Sequence, residues 1–262
     1  MLARLALNRT KMMRKILVAG NWKMHGSKTM VQSLLDGLLA GSSADGKADL
    51  VVFPSFPYLS LTESILSGSH IHWGGQNLNP NAQGAHTGET SGGMLKDMGC
   101  HYVLVGHSER RANYGESDDD VALRFKAALD AGLQPVLCVG ETLDERENGQ
   151  TEAVVERQLD AVINSVGIDA FRKAIIAYEP VWAIGTGLTA TPEQAQAVHA
   201  FIRDKLTSLN AIIGGQLRVL YGGSVNGSNA AELFAQSDID GGLVGGASLT
   251  VEGFLAIYSA VV

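Results

Sequence analysis

Residues 174–187 read AIIAYEPVWAIGTG, a short apolar run that ends in a carboxylate and a proline. The first four residues are continuously apolar, as in a parallel strand that is buried on both faces. Pro180 cannot donate to a β-ladder and keeps the residue before it extended, so the strand has to end at this point. Glu179 is therefore predicted at the mouth of a buried strand.

The segment after Pro180 is predicted to be a loop that closes over a ligand. Residues 181–187 are largely apolar and end in Gly185, Thr186 and Gly187. A rigid proline at one end and permissive glycines at the other allow such a loop to swing as a unit. An apolar loop is also unusual on a surface unless it packs against a ligand for part of the time. A glutamate at a strand end is nevertheless often only solvated or salt-bridged, so a catalytic role needs support from other residues.

Similar apolar runs recur along the chain and alternate with helical patterns. The runs lie at residues 16–19, 50–53, 71–73, 103–105, 136–139, 174–177, 219–220 and 243–244, and amphipathic patterns lie at residues 121–129, 155–162 and 198–206. The last helix has a clear predicted start, because Thr191 can cap it, Pro192 suits its first position and Gln194 completes a capping box. About eight strand-helix units in one pass favour the α/β class and a single-domain (β/α)8 barrel over residues 15–262, rather than an open doubly wound sheet.

Length, charge and cysteine usage limit the range of functions. The 262 residues carry a net charge of −7, which argues against a nucleic-acid partner. No run approaches the roughly 18 apolar residues that a membrane span needs. Cys100 and Cys138 stand far apart without metal-ligand spacing, which predicts buried thiols in a reducing, cytoplasmic compartment. His70 and His72 have no carboxylate or cysteine partner near them, so neither a metal nor another cofactor is predicted.

Residues 1–14 are predicted to be a leader outside the barrel. The first fifteen residues include five basic and no acidic residues. A transit peptide is basic in the same way, but the tract is short and lacks the continuous apolar core of a secretory signal. An alternative start near Met12 or Met13 is the preferred interpretation.

Residues able to do chemistry collect at the predicted strand ends, where barrels of this kind have their active sites. Asn21 and Lys23 follow the first strand and, two apart in an extended segment, are expected to face the same way. His107 follows the fourth strand and Glu179 the sixth. Taken singly, a solvated lysine or a structural histidine is the commoner explanation, so a catalytic role requires that these residues meet in the fold.

Two pairs of glycines at neighbouring strand ends predict a phosphate site. Gly222 and Gly223 precede Ser224, and Gly245 and Gly246 follow the eighth strand. Glycines at such positions expose backbone N–H groups and let an oxyanion approach the main chain closely. Either pair alone would be explained by a tight turn.

Five motifs closely resemble those of the triosephosphate isomerase family. They are GNWKM at 20–24, GHSERR at 106–111, AYEPVWAIGTG at 177–187, YGGSV at 221–225 and GGLVGGASL at 241–249. The resemblance runs in the same order from about Lys15 to the C-terminus and implies a TIM barrel. It departs at His25, where the family most often has Asn, and in the longer leader.

The resemblance implies cofactor-free interconversion of dihydroxyacetone phosphate and D-glyceraldehyde 3-phosphate through an enediolate, a step of glycolysis and gluconeogenesis. Glu179 would be the base that moves a proton between neighbouring carbons. His107 would act as a neutral electrophile at the substrate oxygens. Lys23 and Asn21 would stabilise the charge that develops there, with Glu109 close behind.

The resemblance also implies how the substrate is held and how the chain assembles. A closed lid of residues 180–187 would hold the phosphate together with the groups around it, namely Gly185, Ser224, Gly245 and Gly246. A homodimer is expected, in which the long Asn- and Gly-rich loop at residues 76–90 reaches the neighbouring subunit. Thr87 would lie closest to the partner subunit's Lys23.

Two other functions remain compatible with the same residues. A different phosphate-binding barrel enzyme, such as an aldolase, would use Lys23 to form a Schiff base with its substrate. A catalytically silent barrel would bind a phosphorylated metabolite or a protein partner without turnover. Borohydride trapping of a substrate adduct on Lys23 would indicate the aldolase. The silent barrel would have no activity, so Glu179→Gln would leave nothing to lose.

Overall fold

The eight apolar runs form the strands of a closed parallel barrel. A computed structural model describes residues 14–44, 46–185 and 189–261. In this part of the chain the strands pair in sequence order, and the eighth closes against the first. They are β1 (Ile16–Asn21), β2 (Ala48–Phe53), β3 (Ile71–Gly75), β4 (Tyr102–Val105), β5 (Gln134–Val139), β6 (Ile175–Tyr178), β7 (Arg218–Tyr221) and β8 (Gly241–Val244). The predicted (β/α)8 barrel is therefore confirmed.

Helices follow the strands around the outside of the barrel. They are α1 (Lys28–Gly41), α2 (Leu59–Leu66), α3 (Gly92–Asp97), α4 (Ser108–Tyr114), α5 (Asp118–Asp130), α6 (Leu143–Glu147), α7 (Thr151–Val166), α8 (Pro192–Leu209), α9 (Ala211–Gln216), α10 (Ala230–Phe234) and α11 (Val251–Ser259). Three of them, α5, α7 and α8, contain the predicted amphipathic patterns. Thr191 caps α8 in the predicted capping box with Gln194, and Pro192 occupies the first helical position.

Apolar side chains pack in two layers, one inside the barrel and one between the strands and the helices. The inner layer comprises Leu17, Ala19, Val51, Phe53, Tyr102, Leu104, Val136, Cys138, Ile175, Ala177, Leu220 and Leu243. Neighbouring strand positions such as Val18 and Val52 belong to the outer layer instead. Because both faces of these strands are covered, their sequences are continuously apolar rather than alternating.

Closure of the barrel depends on a glycine at the start of β8. Gly241 has a φ of 131° and pairs with Leu17 of β1. A Cβ at this position would lie 2.0 Å from the Leu17 carbonyl oxygen. Only glycine therefore lets the last strand approach the first closely enough to complete the ladder.

Two sequence predictions concern residues outside the described ranges. Residues 1–13, with the alternative start near Met12 or Met13, make up most of the leader, and Thr186 and Gly187 belong to the lid. Arg14, which we counted with the leader, is described and lies 2.7 Å from the carboxylate of Asp240 in an ion pair.

Three further observations concern membranes, metals and thiols. None of the helices within the described ranges is both long and apolar enough to cross a membrane. In the same ranges, no three His, Cys, Asp or Glu side chains gather as a metal site. Cys100 and Cys138 are free thiols and both are buried, as predicted.

Candidate active site

A cavity of about 320 Å³ opens at the carboxyl ends of the strands. Its wall includes most of the site residues predicted from the sequence, namely Asn21, Lys23, His107, Glu179, Gly185, Ser224, Gly245 and Gly246. Glu109 is in contact with this group through Lys23, whereas Thr87 lies apart from it in an exposed loop. The barrel thus brings together side chains that are far apart in the sequence, because the carboxyl ends of parallel strands share one rim.

The carboxylate of Glu179 is buried and held by two groups on the β4 side of the rim. The residue is 2% exposed, and its backbone N–H donates to the Val139 carbonyl at 2.7 Å, which extends the β5–β6 ladder by one residue. Oε2 accepts the backbone N–H of Ser108 at 2.8 Å. Oε1 lies 2.9 Å from Nε2 of His107. Glu179 is therefore buried and not solvated, and of the two commoner roles of a glutamate at a strand end only the paired one remains.

The surroundings of Glu179 keep it ionised despite its burial. Burial is the largest influence and by itself raises the pKa, because it penalises the charged form. The His107 ring, the Ser108 N–H and the Lys23 ammonium oppose it and together lower the pKa below the ordinary value of 4.5. The site thus holds a dry carboxylate that is charged at neutral pH, which is what a carbon base requires.

His107 occupies the N-cap position of α4, and this position constrains its protonation. Its Nδ1 accepts the backbone N–H of Glu109 at 3.2 Å, so the ring proton belongs on Nε2, the atom beside Glu179. Burial lowers the pKa of His107, whereas the carboxylates of Glu179 and Glu109 raise it, and the net shift is upward. Protonation would nevertheless remove the acceptor at Nδ1 and place a cation at a helix N-terminus, so the geometry favours the neutral ring.

Lys23 has a left-handed backbone rather than the extended one that we predicted. Its φ is 53°, a conformation that costs a non-glycine residue on the order of 1–3 kcal/mol. The side chain of Asn21 accepts the Lys23 N–H at 3.0 Å. On the other side, Ser55 Oγ and Gln76 Nε2 donate to the Lys23 carbonyl at 2.7 and 2.8 Å. These three hydrogen bonds explain how the strained backbone is retained.

The Lys23 ammonium is directed into the cavity by an ion pair. Its Nζ contacts Oε1 of Glu109, whose backbone N–H in turn meets His107. Asn21 is 5% exposed and lines the same cavity. Asn21 and Lys23 therefore do face the same space, but through a turn at Lys23 and not through the two-residue repeat of a strand.

The first residues of the predicted lid are anchored to Glu141, a fully buried carboxylate. The Val181 N–H donates to the Glu141 carbonyl at 3.1 Å, and Trp182 Nε1 donates to its Oε1 at 3.0 Å. The Tyr178 hydroxyl donates to the same carboxylate at 3.1 Å. Arg146 forms an ion pair with it at 3.0 Å and lies over the Trp182 ring. The lid therefore begins from a fixed base.

The glycine pairs line the opposite wall and serve different needs. A Cβ at Gly222 would lie 2.9 Å from Cγ of Glu179, so this glycine makes room for the carboxylate side chain. A Cβ at Gly246 would meet no atom within 4 Å, so this glycine borders open space. Gly246 also begins a 3-10 turn, Gly246–Leu249. The open wall next to Gly245 and Ser224 leaves room for a ligand to approach the main chain.

Sequence reasoning missed three contributors to this site. The Ser108 N–H carries no side-chain signal, although it follows His107 directly. Glu141 comes two residues after the end of β5, as Glu179 comes directly after β6, and a carboxylate near a buried strand end was the available signal. Asn226 lines the cavity beyond Ser224, at a distance from the glycine motif that gave no reason to single it out.

Comparison with known proteins bears on the whole barrel. The sequence model of the family described as "Triosephosphate isomerase" matches residues 16–261. The triosephosphate isomerase of Hydrogenovibrio crunogenus is 57% identical over 250 residues, which cover 95% of this chain and 98% of the relative. Those of Thiobacillus denitrificans and Dechloromonas aromatica are 58% and 57% identical over 248 residues, which cover 95% of this chain and 99% of each relative. With this match and this arrangement of residues, the chain belongs to the triosephosphate isomerase family.

Proposed function

We propose that this chain interconverts dihydroxyacetone phosphate and D-glyceraldehyde 3-phosphate without a cofactor, with Glu179 as the base. The observation that carries the proposal is a buried but ionised carboxylate beside an imidazole and an ammonium, at the rim of a barrel. The names of the relatives, which share more than half of their residues with this chain, support the same reaction.

The proposed reaction moves one proton between two carbons. Glu179 removes a proton from the hydroxyl-bearing carbon next to the substrate carbonyl, which leaves an enediolate, and returns it to the former carbonyl carbon. The hydroxyl proton passes from one substrate oxygen to the other, so that the old carbonyl becomes the hydroxyl and the old hydroxyl the carbonyl. A carbon acid is far weaker than a carboxylic acid, so the carboxylate alone cannot make this step fast. Positioned proton transfer contributes about 10²- to 10⁴-fold, and stabilisation of the enediolate has to supply much of the rest.

His107 and Lys23 are suited to that stabilisation. A substrate oxygen that takes the place of the Glu179 carboxylate at Nε2 would receive a hydrogen bond from the neutral ring. The departure of the carboxylate would also remove a main influence that raises the pKa of His107. The Lys23 ammonium supplies positive charge to the same cavity, and Asn21 supplies an amide beside it.

The phosphate is proposed to lie at the wall formed by Ser224, Gly245 and Gly246. Closure of residues 180–187 would bring Gly185 over it. Gly185 is exposed and has a φ of 70°, a conformation that glycine adopts easily. Binding of the non-reacting phosphate would then stabilise the closed lid during the chemistry. A closed lid also excludes water, which protects the enediolate from elimination of phosphate.

The ion pair that Lys23 forms with Glu109 speaks against an aldolase. A Schiff base requires a neutral amine as nucleophile, and such lysines are usually desolvated or placed beside other cations. Lys23 instead has a side chain that is 28% exposed and forms an ion pair with the carboxylate of Glu109. The same contact leaves the lysine suited to stabilising an anion.

A homodimer in the cytoplasm is part of the proposal. Beside the catalytic cavity lies another of about 270 Å³, whose wall includes Lys23, Met24 and Tyr114. Met24 is 94% exposed and Tyr114 is 71% exposed, so an apolar rim is left uncovered around it. Residues 81–89 of the long loop are exposed as well. Insertion of this loop into the neighbouring cavity would bring Thr87 close to the partner subunit's Lys23.

The proposal is tested by an isomerase assay in both directions on the purified chain and on Glu179→Gln. The substitution should lower kcat by about 10³-fold or more, since the amide cannot accept the proton, while the Kd of inorganic phosphate stays within a few-fold. Activity of the unsubstituted chain should be the same with and without a chelator. An unsubstituted chain without isomerase activity, or a Glu179→Gln variant with normal kcat, would refute the assignment.

A further inference from the structure

The edge of β5 that faces β4 loses its strand partner just before the active site. Within the described residues, the β4–β5 pairing ends at Val105 and Leu137, whereas the β5–β6 pairing continues to Val139 and Tyr178. Successive residues of a parallel strand direct their backbone groups to opposite neighbours. The backbone N–H and C=O of Gly140 therefore need partners other than a strand on the β4 side.

Gln158 supplies both partners from the helix layer. It lies on α7 and is 4% exposed. Its Oε1 accepts the Gly140 N–H at 2.8 Å, and its Nε2 donates to the Gly140 carbonyl at 3.2 Å. A buried side-chain amide whose oxygen and nitrogen both bond to the same backbone residue fixes the position of that residue.

Gly140 in turn lies directly against the backbone of Glu179. A Cβ at Gly140 would be 1.8 Å from the Glu179 carbonyl oxygen and 3.2 Å from its Cα. The residues on either side of Gly140 pair with the same segment, because Val139 accepts the Glu179 N–H and Glu141 accepts the Val181 N–H. A displacement of Gly140 is therefore passed directly to the backbone that carries Glu179.

We propose that Gln158 is a positioning residue for Glu179, which it holds in register with Ser108 and His107 by clamping Gly140. Gln158 is absent from the wall of the substrate cavity and lines a different cavity of about 450 Å³ behind Glu179. It therefore acts on the reaction only through the backbone. The inference rests on the proposed role of Glu179 as the base.

The test is Gln158→Met, which keeps the length of the side chain and removes both hydrogen bonds. The expected result is a fall in kcat of about 10- to 100-fold, because a shift of about 1 Å in a catalytic group has an effect of that size. The Kd of inorganic phosphate should stay within twofold. Looser contact of Glu179 with the Ser108 N–H should also raise its pKa, so the acidic limb of the kcat/KM profile should move to higher pH.

A matched control is Gln196→Met. Gln196 uses its amide in the same way, since Nε2 donates to Asp238 Oδ2 at 2.6 Å and Oε1 accepts the Asp238 N–H at 3.0 Å. Asp238, however, precedes β8 and so lies at the amino end of the strands, away from Glu179. Both variants should melt at lower temperature, and only Gln158→Met should change kcat and the pH profile. Equal kcat and an unmoved acidic limb in a folded Gln158→Met would overturn the proposal.

A second variant keeps the test decisive if Gln158→Met does not fold. Gln158→Asn keeps the amide but is one methylene shorter, so it cannot make both hydrogen bonds to Gly140, and a smaller fall in kcat is expected. A kcat equal to that of the unsubstituted chain would overturn the proposal. Failure of the proposed function is recognised separately, because it would appear as unchanged turnover in Glu179→Gln.

Discussion

At Glu179, competing influences on one carboxylate determine whether it can serve as a base. Burial favours the protonated form, and the contacts with His107, Ser108 and Lys23 favour the ionised form. The contacts prevail, so the carboxylate combines exclusion from water with a negative charge. One of these contacts comes from the side chain of His107, so a substitution of His107 should change the pKa of Glu179.

His107→Asn should move the acidic limb of the kcat/KM profile to higher pH. The pKa of Glu179 is lowered in the folded chain, so its base form should be lost only below about pH 4.5. Asparagine keeps an N-cap acceptor for the Glu109 N–H but withdraws the ring from Glu179, so burial then dominates and raises the pKa. The measurement is kcat/KM against pH. The midpoint of the acidic limb is compared between the variant and the unsubstituted chain, whatever the maximal value of kcat/KM.

The control for this experiment is His25→Asn. His25 is exposed and its substitution should leave the midpoint unchanged, while it also tests whether this departure from the family matters. A midpoint that stays in place or moves to lower pH in His107→Asn would contradict the account of the Glu179 pKa.

The proposed lid is fixed at its N-terminal end. Its first turn, Val181–Ala183, is bound to Glu141 by the backbone of Val181 and the indole of Trp182. Beyond Ala183, Ile184 is half-buried and Gly185 is exposed. Movement is therefore expected after the anchored turn, at the part of the loop that borders the cavity.

Deletion of residues 184–186 should weaken phosphate binding and release a side product. Without the tip of the lid the enediolate meets water and loses phosphate by elimination. The measurements are the Kd of inorganic phosphate and the phosphate released per isomerase turnover. Adding Glu179→Gln to the deletion should abolish the release, since it removes the enediolate itself. A deletion variant that still turns over without releasing phosphate would refute the role of the lid.

At the scale of the whole barrel, an apolar rim next to the catalytic cavity is left uncovered. Met24 follows the strained Lys23 and is almost fully exposed. Tyr114 ends α4, and both residues line the cavity of about 270 Å³ beside the catalytic one. Gln76, at the start of the long loop, donates to the Lys23 carbonyl. The proposed interface loop and the proposed catalytic lysine are thus joined by a hydrogen bond, so assembly and activity are expected to be linked.

Met24→Glu should convert the proposed dimer into monomers and lower the activity. In light scattering at micromolar concentration, the unsubstituted chain should show about twice its chain mass of 27.7 kDa. A carboxylate at Met24 would have to be buried without a partner in the interface, which is costly. Leu209→Glu is the control, because Leu209 is likewise an exposed apolar residue, at 50%, but lies at the end of α8. A monomeric mass for the unsubstituted chain would contradict the homodimer.

Much of the fold and of the candidate site followed from short-range chemistry. The runs of apolar residues at all eight strands, the capping box at Thr191 and the proline after Glu179 act over a few residues, so they can be recognised without coordinates. The left-handed turn at Lys23 could not be, because lysine has no intrinsic preference for it. It is maintained by Ser55 and Gln76, which come from other strand ends.

Local sequence was sufficient to say which residue types stand at the mouth of each strand and that the strands are buried on both faces. It was insufficient to say that Glu179 is dry yet charged, that Glu141 holds the lid, or that Gln158 replaces a missing strand partner. Those features depend on contacts between segments that are 18 to 71 residues apart, the longest being that of Ser108 with Glu179. Hydrogen bonds and charges act only over a few ångströms, so their partners become known when the chain has closed into a barrel.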